Sequence, residues 1–250
     1  MSGHSKWSTI KRKKGAADAK RGKIFSKLAK EISVAARMGG EDPEGNPRLR
    51  TVLLAARSAN MPKDNVEKAI KKGAGTTQGV MYEEGRYEAY GPGGVAVIVD
   101  VLTDNKNRTV ADVRHAVTKF GGSLAENGAV TWNFENRGYI ALPKDCASED
   151  EIFEKAIEAG ADDVDTEGDM YEITTDPADL HSVAEALEGM GLKAEEAKLT
   201  MIPKTTTELE GTSAKTLLKM IDLLEDCDDV QNVYSNFDLS EEAMAAAMAD

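Results

Sequence analysis

Apolar residues recur at every third or fourth position from Ala17 to Met38, which is the spacing of an amphipathic helix. This spacing places four side chains on one inward face: Ile24, Leu28, Ile32 and Ala35. Gly39 and Gly40 end the helix, because glycine does not sustain helical backbone. The preceding residues, 1–16, are polar and basic, and we predict an exposed basic tail there.

Two shorter helices follow the first. Asn46 caps the next helix and Pro47 occupies its first position, a combination that is typical of helix starts. Pro62 begins a third helix, which Gly73 ends. The three helices predict a small helical domain over residues 17–79, whose last residues form a linker rich in glycine and threonine.

The pattern changes to mixed strands and helices after this linker. The segments Tyr87–Tyr90 and Val95–Leu102 are predicted strands that are joined by a glycine-rich turn. Asn127-Gly128 lies between two further runs and predicts a two-residue hairpin. Between these features, a helical spacing connects Val110, Val113, Val117 and Phe120.

Residues 135–204 predict a complete unit with the element order β-α-β-β-α-β, which is the ferredoxin-like arrangement. Ser148 and Glu151 form a capping box at the start of its first helix. A second helix starts after Asp176-Pro177. The first helix is predicted to bury Ile152, Phe153, Ala156 and Ile157.

Residues 205–238 add one more helix and one more strand. Because residues 80–134 contain only one predicted helix, we expect residues 205–238 to complete that domain and residues 135–204 to be inserted in it. Residues 239–250 form a C-terminal tail. The predicted fold class is α+β multi-domain, with a helical domain followed by two α/β sandwich-like domains, the third (ferredoxin-like) inserted in the second.

The formal net charge of −13 is divided unevenly along the 250 residues. Residues 1–75 hold 18 Lys and Arg against 7 Asp and Glu, a net charge of +11. Residues 76–250 hold 13 against 37, a net charge of −24. The basic part is suited to phosphate, whereas phosphate repels the acidic part, which we expect to contact proteins.

Basic residues are densest near the N-terminus, and many cations at short range can displace the counterions of a nucleic acid. We predict that eight side chains contact phosphates: Lys6, Lys11, Arg12, Lys13, Lys14, Lys20, Arg21 and Lys23. Two alternatives stay open. The segment contacts the acidic part of the same chain, or it forms a solvated surface without a partner.

Four more residues belong to the candidate nucleic-acid-binding set. Trp7 either stacks on an unpaired base or packs on the helical domain. His4 is included because it lies in the basic tail, and no neighbouring ligand supports a metal site there. Lys106 and Arg108 are candidates for a second contact surface, with local helix capping as the alternative role of their segment.

The sequence contains no motif for catalysis or metal binding. Its three histidines and two cysteines are scattered, and it has no P-loop, GxSxG, GxGxxG or HExxH pattern. We therefore predict that the protein is not an enzyme and uses no metal or cofactor. An enzyme with a cleft between the α/β domains is the alternative from a different functional class.

The sequence also indicates a compartment. No apolar run has the length of a membrane span, and two distant cysteines fit a reducing environment. We expect a cytoplasmic protein without a membrane partner. The acid-free, basic start of the chain is the observation that would favour a mitochondrial targeting segment instead.

Six runs of the sequence carry a resemblance to known proteins: GHSKWSTIKRKKGAADAKRGKIFSKLAKEI, NPRLR, NMPKDNVEKAIKKG, YEAYGPGGVAVIV, LTDNKNRT and VR…KFGG. They resemble the YebC (PmpR) family of regulatory proteins from Ser2 to about Phe134, and more weakly to about Leu239. The resemblance implies a helical first domain and two α/β domains, the third inserted in the second. It also implies a transcriptional regulator that binds DNA. The family is similar to mitochondrial translational activators, and bacterial relatives are connected with translation of proline-rich stretches on the ribosome.

Residues and resemblance together predict a non-enzymatic, monomeric regulator of gene expression that binds DNA. The alternative is a ribosome-associated translation factor that binds ribosomal RNA and aids translation of proline-rich sequences. In either case the acidic domains are expected to contact ribosomal or transcription proteins. The charge distribution fits both functions.

Overall fold

Three helices form the first part of the chain in the computed structural model, which describes residues 18–75 and 81–240, with side chains from residue 22 onward. Their bounds are Asp18–Gly39 (α1), Pro47–Ser58 (α2) and Lys63–Gly73 (α3). The predicted basic tail lies outside the described residues, as does the predicted C-terminal tail from residue 241 onward.

Asn46 joins the end of α1 to the start of α2. Its Oδ1 accepts the backbone N–H of Leu49 at 3.0 Å, which confirms the predicted N-cap. Its Nδ2 donates to the carbonyls of Ala35 and Gly40 at 2.9 and 2.8 Å. One buried amide therefore satisfies backbone groups at the ends of two helices.

α1 and α3 approach each other closely. The hydroxyl of Ser33 donates to the carbonyl of Ala69 at 2.9 Å, and a Cβ atom at Gly73 would collide with the carbonyl of Ser33. Glycine is therefore required at this contact. The core of the three helices contains Ile32, Ala35, Leu49, Val52, Ala56, Met61 and Ala69.

Ile24 does not share this core, although its spacing predicts an inward position. Its side chain is 49% exposed. α1 has 22 residues, whereas α2 and α3 have 12 and 11. At about 1.5 Å per residue, α1 is longer than either partner. Phe25, the next residue, packs against the core in place of Ile24.

A four-stranded antiparallel sheet organises the first of two compact units, which contains residues 81–135 and 201–240. Helices α4 (Lys106–Lys119) and α7 (Gly211–Asp226) pack on it. Two short strands, β8 (Thr207–Glu208) and β10 (Phe237–Asp238), pair in parallel beside it. Its own strands are β1 (Glu83–Tyr90), β2 (Ala96–Thr103), β3 (Ser123–Ala125) and β9 (Val230–Ser235), in the order β3-β1-β2-β9.

Strand β2 is apolar on both faces, because both faces of its sheet are covered. On one face Val97, Val99 and Val101 pack in a core with α4 and α7. On the other face Ala96 and Ile98 pack in a smaller cluster with Val130, Phe134 and Met201. The second cluster comes from the segments that leave and re-enter this unit.

The predicted hairpin at Asn127-Gly128 is wrong. β3 pairs with β1, with Ser123 opposite Tyr90, and does not fold back on the residues that follow it. Those residues form a turn and a short 3-10 helix, Thr131–Asn133. The physical reason is a buried carboxylate from β1, described below, that binds the backbone N–H groups which a hairpin strand would use.

The second compact unit contains residues 21–75 and 136–200. Its antiparallel pairs join β4 to β6 and β6 to β5. The element order is β-α-β-β-α-β, as predicted for residues 135–204. The elements are β4 (Phe134–Pro143), α5 (Glu149–Ala159), β5 (Asp163–Asp165), β6 (Met170–Thr175), α6 (Leu180–Gly189) and β7 (Glu196–Pro203), with the strand order β5-β6-β4-β7.

Helix α5 begins as predicted, with the hydroxyl of Ser148 accepting the N–H of Glu151 at 3.4 Å. Ile152 and Ala156 are buried, but Phe153 and Ile157 are 48% and 59% exposed, so the prediction for these two is wrong. Lys155 reaches the end of α6, where its Nζ lies 3.3 Å from the carbonyl oxygen of Met190. Phe153 and Ile157 lie 200° around the helix from Lys155 and face away from α6.

The predicted fold class is confirmed: a helical region is followed by α/β units with antiparallel sheets. The finer domain boundaries stay a prediction. In the part of the chain that the structure describes, no helix combines the length and the apolar character that crossing a membrane requires.

Ile152→Ala and Ile157→Ala remove the same atoms from one helix at a buried and an exposed position. We expect Ile152→Ala to lower the free energy of unfolding by about 2–5 kcal/mol, because it leaves a cavity in the core. We expect Ile157→Ala to change it by less than about 1 kcal/mol. Urea unfolding followed by circular dichroism measures both, and equal losses would contradict the burial described above.

Candidate nucleic-acid interface

The predicted phosphate contacts begin before the described part of the chain and continue into α1. Lys20 and Arg21 lie in α1, at positions whose side chains are not described, and Lys23 is exposed on the same helix. The prediction for the other seven residues falls outside the described chain: His4, Lys6, Trp7, Lys11, Arg12, Lys13 and Lys14.

Helix α1 places four lysines at helical spacing. Lys20, Lys23, Lys27 and Lys30 follow one another by three, four and three positions, so their backbone positions share one side of the helix. The series extends along about 15 Å of helix axis. A row of this kind presents positive charge along a line, which is the arrangement that a phosphate backbone requires.

Helix α3 adds exposed lysines to the helical region. Its exposed positions hold two acids, Asp64 and Glu67, and four lysines: Lys63, Lys68, Lys71 and Lys72. Residues 18–75 together hold 13 Lys and Arg against 7 Asp and Glu, a net charge of +6. The positive charge that begins in the basic tail therefore continues over the folded helices.

The first residue of the predicted second surface, Lys106, has an acidic partner within the protein. Its Nζ lies 2.6 Å from Oε2 of Glu83, on the neighbouring strand β1. The hydrogen bond and the charge of this carboxylate raise the pKa of Lys106. Both side chains are more than half exposed, so this pair contributes little to stability.

The second residue, Arg108, contacts two carboxylates. Its Nη2 lies 2.6 Å from Oδ2 of Asp229 and 2.8 Å from Oδ1 of Asp104. The hydrogen bonds that the guanidinium donates to Asp229, and secondly to Asp104, raise its pKa. Oδ2 of the buried Asp229 also accepts the hydroxyls of Thr103 and Thr109 at 3.2 and 2.8 Å. These contacts hold together the end of β2, the start of α4 and the turn before β9, and the second surface stays a prediction.

A buried carboxylate from β1 fixes residues 126–134, which we call the capped loop. Glu88 is 4% exposed, and its Oε1 accepts the N–H of Gly128 at 2.6 Å. Its Oε2 accepts the N–H groups of Val130 and Thr131 at 2.7 and 3.0 Å. Burial raises the pKa of Glu88, but these hydrogen bonds together outweigh it and lower the pKa below its ordinary value.

The capped loop is also tied to the segment that returns from the second unit. Oδ1 of Asn133 accepts the N–H and the hydroxyl of Thr205 at 3.0 and 2.8 Å, and its Nδ2 donates to the Thr205 carbonyl at 3.0 Å. Nδ2 of Asn236 donates to the same carbonyl at 3.1 Å. Oδ1 of Asn236 accepts the N–H of Ala96 at 2.8 Å. Hydrogen bonds therefore fix the capped loop at both of its ends.

No local sequence signal marks Glu88, Asn133, Asp229 or Asn236, because each binds partners far along the chain. The one local signal was the polar segment from Thr103 to Thr109, which contains Arg108. Over residues 18–75 and 81–240, no group of three or more His, Cys, Asp or Glu side chains is positioned to hold a metal ion.

Two family models match the chain. The model described as the TACO1/YebC protein N-terminal domain matches residues 5–76, and the model described as the TACO1/YebC second and third domain matches residues 82–237. Together they include the basic tail from residue 5, the three helices and both sheets.

Similar proteins cover almost the whole chain. A "Probable transcriptional regulatory protein" of Citrifermentans bemidjiense is 60% identical over 248 residues, 99% of this chain and 100% of that protein. "Probable transcriptional regulatory protein GSU1074" of Geobacter sulfurreducens is 58% identical, with the same coverage. The crystal structure of a conserved hypothetical protein, Aq1575 from Aquifex aeolicus, has a TM-score of 0.82 and 49% identity, and it covers 90% of this chain and 93% of that chain.

Glu88→Gln replaces the capping carboxylate by an amide that has one acceptor oxygen. We expect the free energy of unfolding at pH 7 to fall by about 1–3 kcal/mol, since at least one buried N–H group loses its partner. Because the pKa of Glu88 is lower in the folded than in the unfolded protein, its stabilising contribution is complete above the ordinary pKa of 4.5 and is lost as the pH falls through the folded value.

The difference between the two proteins should therefore shrink as the pH is lowered below 4.5. Urea unfolding from about pH 3 to about pH 7, the range in which carboxylates titrate, measures this difference in the free energy of unfolding. Glu126→Gln, at an exposed position of the same loop, is the matched control and should have little effect. A pH-independent loss for Glu88→Gln would contradict the capping role of the charge.

Proposed function

The chain belongs to the TACO1/YebC family, and from this premise we propose that it is a non-enzymatic, cytoplasmic regulator of gene expression that binds nucleic acid through its basic N-terminal part. The observation that carries the proposal is the division of charge, +11 over residues 1–75 against −24 over residues 76–250. Relatives that cover the whole chain are named probable transcriptional regulatory proteins, which favours DNA as the nucleic acid.

The helical region supports phosphate binding in two ways. The row of lysines on α1 continues the basic tail into a rigid element, so that part of the interface is ordered before binding. Helix α3 follows α2 after a turn of only four residues and carries lysines on its exposed side. A helix pair joined by so short a turn is the kind of element that many DNA-binding proteins place against a duplex.

The acidic part has a separate role in this proposal. Residues 136–200 hold 18 Asp and Glu against 5 Lys and Arg, a net charge of −13. Phosphate repels such a surface, so nucleic acid is directed to the basic part of the chain. We propose that the acidic surface contacts transcription proteins and that one copy of the chain suffices for binding.

A second function uses the same residues. A ribosome-associated translation factor also needs a basic segment for RNA and a surface of opposite charge for neighbouring proteins, and the charge distribution favours it equally. Crosslinking in cells, followed by sequencing of the bound nucleic acid, separates the two. Discrete promoter DNA supports the transcriptional role, and predominantly ribosomal RNA supports the translational role.

Replacing Lys11, Arg12, Lys13 and Lys14 by Gln removes up to four phosphate contacts. We expect weaker binding and a flatter dependence of log affinity on log salt, because each lost contact to duplex DNA removes about 0.9 from the slope. Titrations of a labelled duplex at several salt concentrations measure the slope.

The control for this variant neutralises lysines in the acidic part of the chain, residues 76–250. Lys193→Gln combined with Lys219→Gln changes two exposed lysines, one in each unit, and should leave the slope unchanged. If the tail variant and the control have the same slope as the unchanged chain, the basic tail does not bind phosphate and the proposal fails.

A further inference from the structure

Trp132 is unusually exposed for a tryptophan. Its side chain is 67% accessible, and that of Tyr90 is 41% accessible. Tryptophan is among the side chains that gain most from burial, so an exposed indole in a well-packed unit leaves a large apolar surface in water. Such a surface is informative when the ring is held in place, because a held ring is available to a ligand at little entropic cost.

The polar edges of both rings are satisfied within the protein. Nε1–H of Trp132 donates to the carbonyl of Ala129 at 2.9 Å, and the hydroxyl of Tyr90 donates to the same carbonyl at 3.3 Å. The carbonyl oxygen of Ala129 thus tethers both rings, through the N–H group of Trp132 and the hydroxyl of Tyr90. What the two rings offer to a ligand is their π surface, and we call this pair the aromatic platform.

The platform rests on a fixed backbone. Ala129 lies within the capped loop, between Gly128 and Val130, whose N–H groups are both bound by Glu88. Asn133, which follows Trp132, is held by Thr205. The carbonyl that tethers the rings is therefore positioned from both sides by buried hydrogen bonds.

The space beside the loop is open. Gly128 has a φ of +87°, and no atom lies within 4 Å of the place that a Cβ would occupy. An L-residue there would be strained, so the backbone stays bare one residue before Ala129, whose carbonyl accepts from both rings.

The chemistry around the platform favours a nucleobase over a protein surface. A stable protein interface buries about 800 Å² per partner around an apolar centre. The exposed residues of the capped loop other than Trp132 are instead polar or lack a side chain: Glu126, Asn127 and Gly128. The apolar Val130 and Phe134 of this loop are buried in a core cluster of the unit. A single unpaired base needs only the face of an aromatic ring, with no apolar rim.

Two of the acids near the platform are bound by groups within the protein. The carboxylate of Glu88 is buried and bound by three N–H groups. Glu135, at the end of the unit's first segment, lies 3.4 Å from Nζ of Lys204. A third acid, Glu126, is exposed on the same loop, so the contact that we infer is with the face of a base and not with phosphate.

We propose that Tyr90 and Trp132 bind an unpaired base of single-stranded nucleic acid by stacking. The inference rests on the proposed nucleic-acid binding and adds to it a ligand class, because bases inside a regular duplex are not accessible to a ring on a protein surface. The basic tail supplies affinity for phosphate, and the aromatic platform distinguishes single strands from duplexes.

The chain contains two tryptophans, so Trp7→Phe leaves Trp132 as the one indole reporter. The probes are a short oligouridylate, an oligothymidylate of the same length and a duplex of mixed sequence. We expect both single strands to quench the emission of Trp132 and the duplex to leave it unchanged, even where the duplex binds. Equal quenching by all three probes, or by none of them when bound, would overturn the proposal.

Trp132→Leu tests the energetic contribution of the ring in an otherwise unchanged chain. Stacking on an aromatic side chain contributes about 1–3 kcal/mol per base, so affinity for the single strands should fall by roughly 5- to 150-fold. The slope of log affinity against log salt should stay the same, because no phosphate contact is removed. Circular dichroism checks that the variant folds, as expected for an exposed position.

Two further variants isolate stacking from other effects. Tyr90→Phe keeps the ring and removes only the tether to Ala129, so most of the affinity should remain. Phe153→Leu removes an exposed aromatic ring from the other unit and should have no effect. A loss with Phe153→Leu as large as with Trp132→Leu would overturn the assignment of stacking to the platform.

Failure of this inference differs from failure of the proposed function. If the basic-tail variant loses affinity and Trp132→Leu does not, the chain binds nucleic acid without the platform. If the unchanged chain binds neither single strands nor duplex, the proposed function itself is wrong. If a protein from the cell, and no nucleic acid, protects Trp132 from quenching by iodide, the platform is a protein contact and the inference is wrong.

Discussion

The first sheet depends on a pairing between strands that lie far apart in the chain. Strand β9 pairs with β2, with Val97 opposite Ser235, and the long loop between them has to be closed at an entropic cost. Buried polar groups stabilise this pairing of β2 with β9. Asp229 binds the end of β2 and the start of α4, and Asn236 binds a backbone group of β2 that is 140 residues away. Apolar packing alone tolerates a shift along a strand, whereas these directional contacts select one register.

Local signals were sufficient for most of the elements. The caps at Asn46 and Ser148 depend on residues three positions apart, and both were predicted correctly. The hairpin at Asn127-Gly128 failed because its backbone donors bind a carboxylate some 40 residues earlier in the chain. The inward face of α5 was overestimated, because apolar periodicity does not reveal how many neighbours surround a helix, and Phe153 and Ile157 are exposed.

The candidate sites also divide into residues that the local sequence reveals and residues that only the structure reveals. Charge is additive along a chain, so the basic N-terminal part could be recognised without any structure. The partners of Arg108 could not, because Asp229 is 121 residues away. Exposure of Trp132 was also beyond prediction, since residues 129–134 alternate like a strand of the predicted hairpin. What distinguishes it is a tether to Ala129 inside a loop whose conformation depends on Glu88.

The split origin of the first sheet has a consequence for biosynthesis. All strands of the ferredoxin-like sheet lie between residues 134 and 203, so that sheet is complete while the chain is still being made. The first sheet lacks strand β9 until residues 230–235 emerge from the ribosome. During this interval β2 has an unpaired apolar edge. A nascent chain that stalls in this interval exposes a strand edge to other chains and to chaperones, and release of the last few dozen residues ends that exposure.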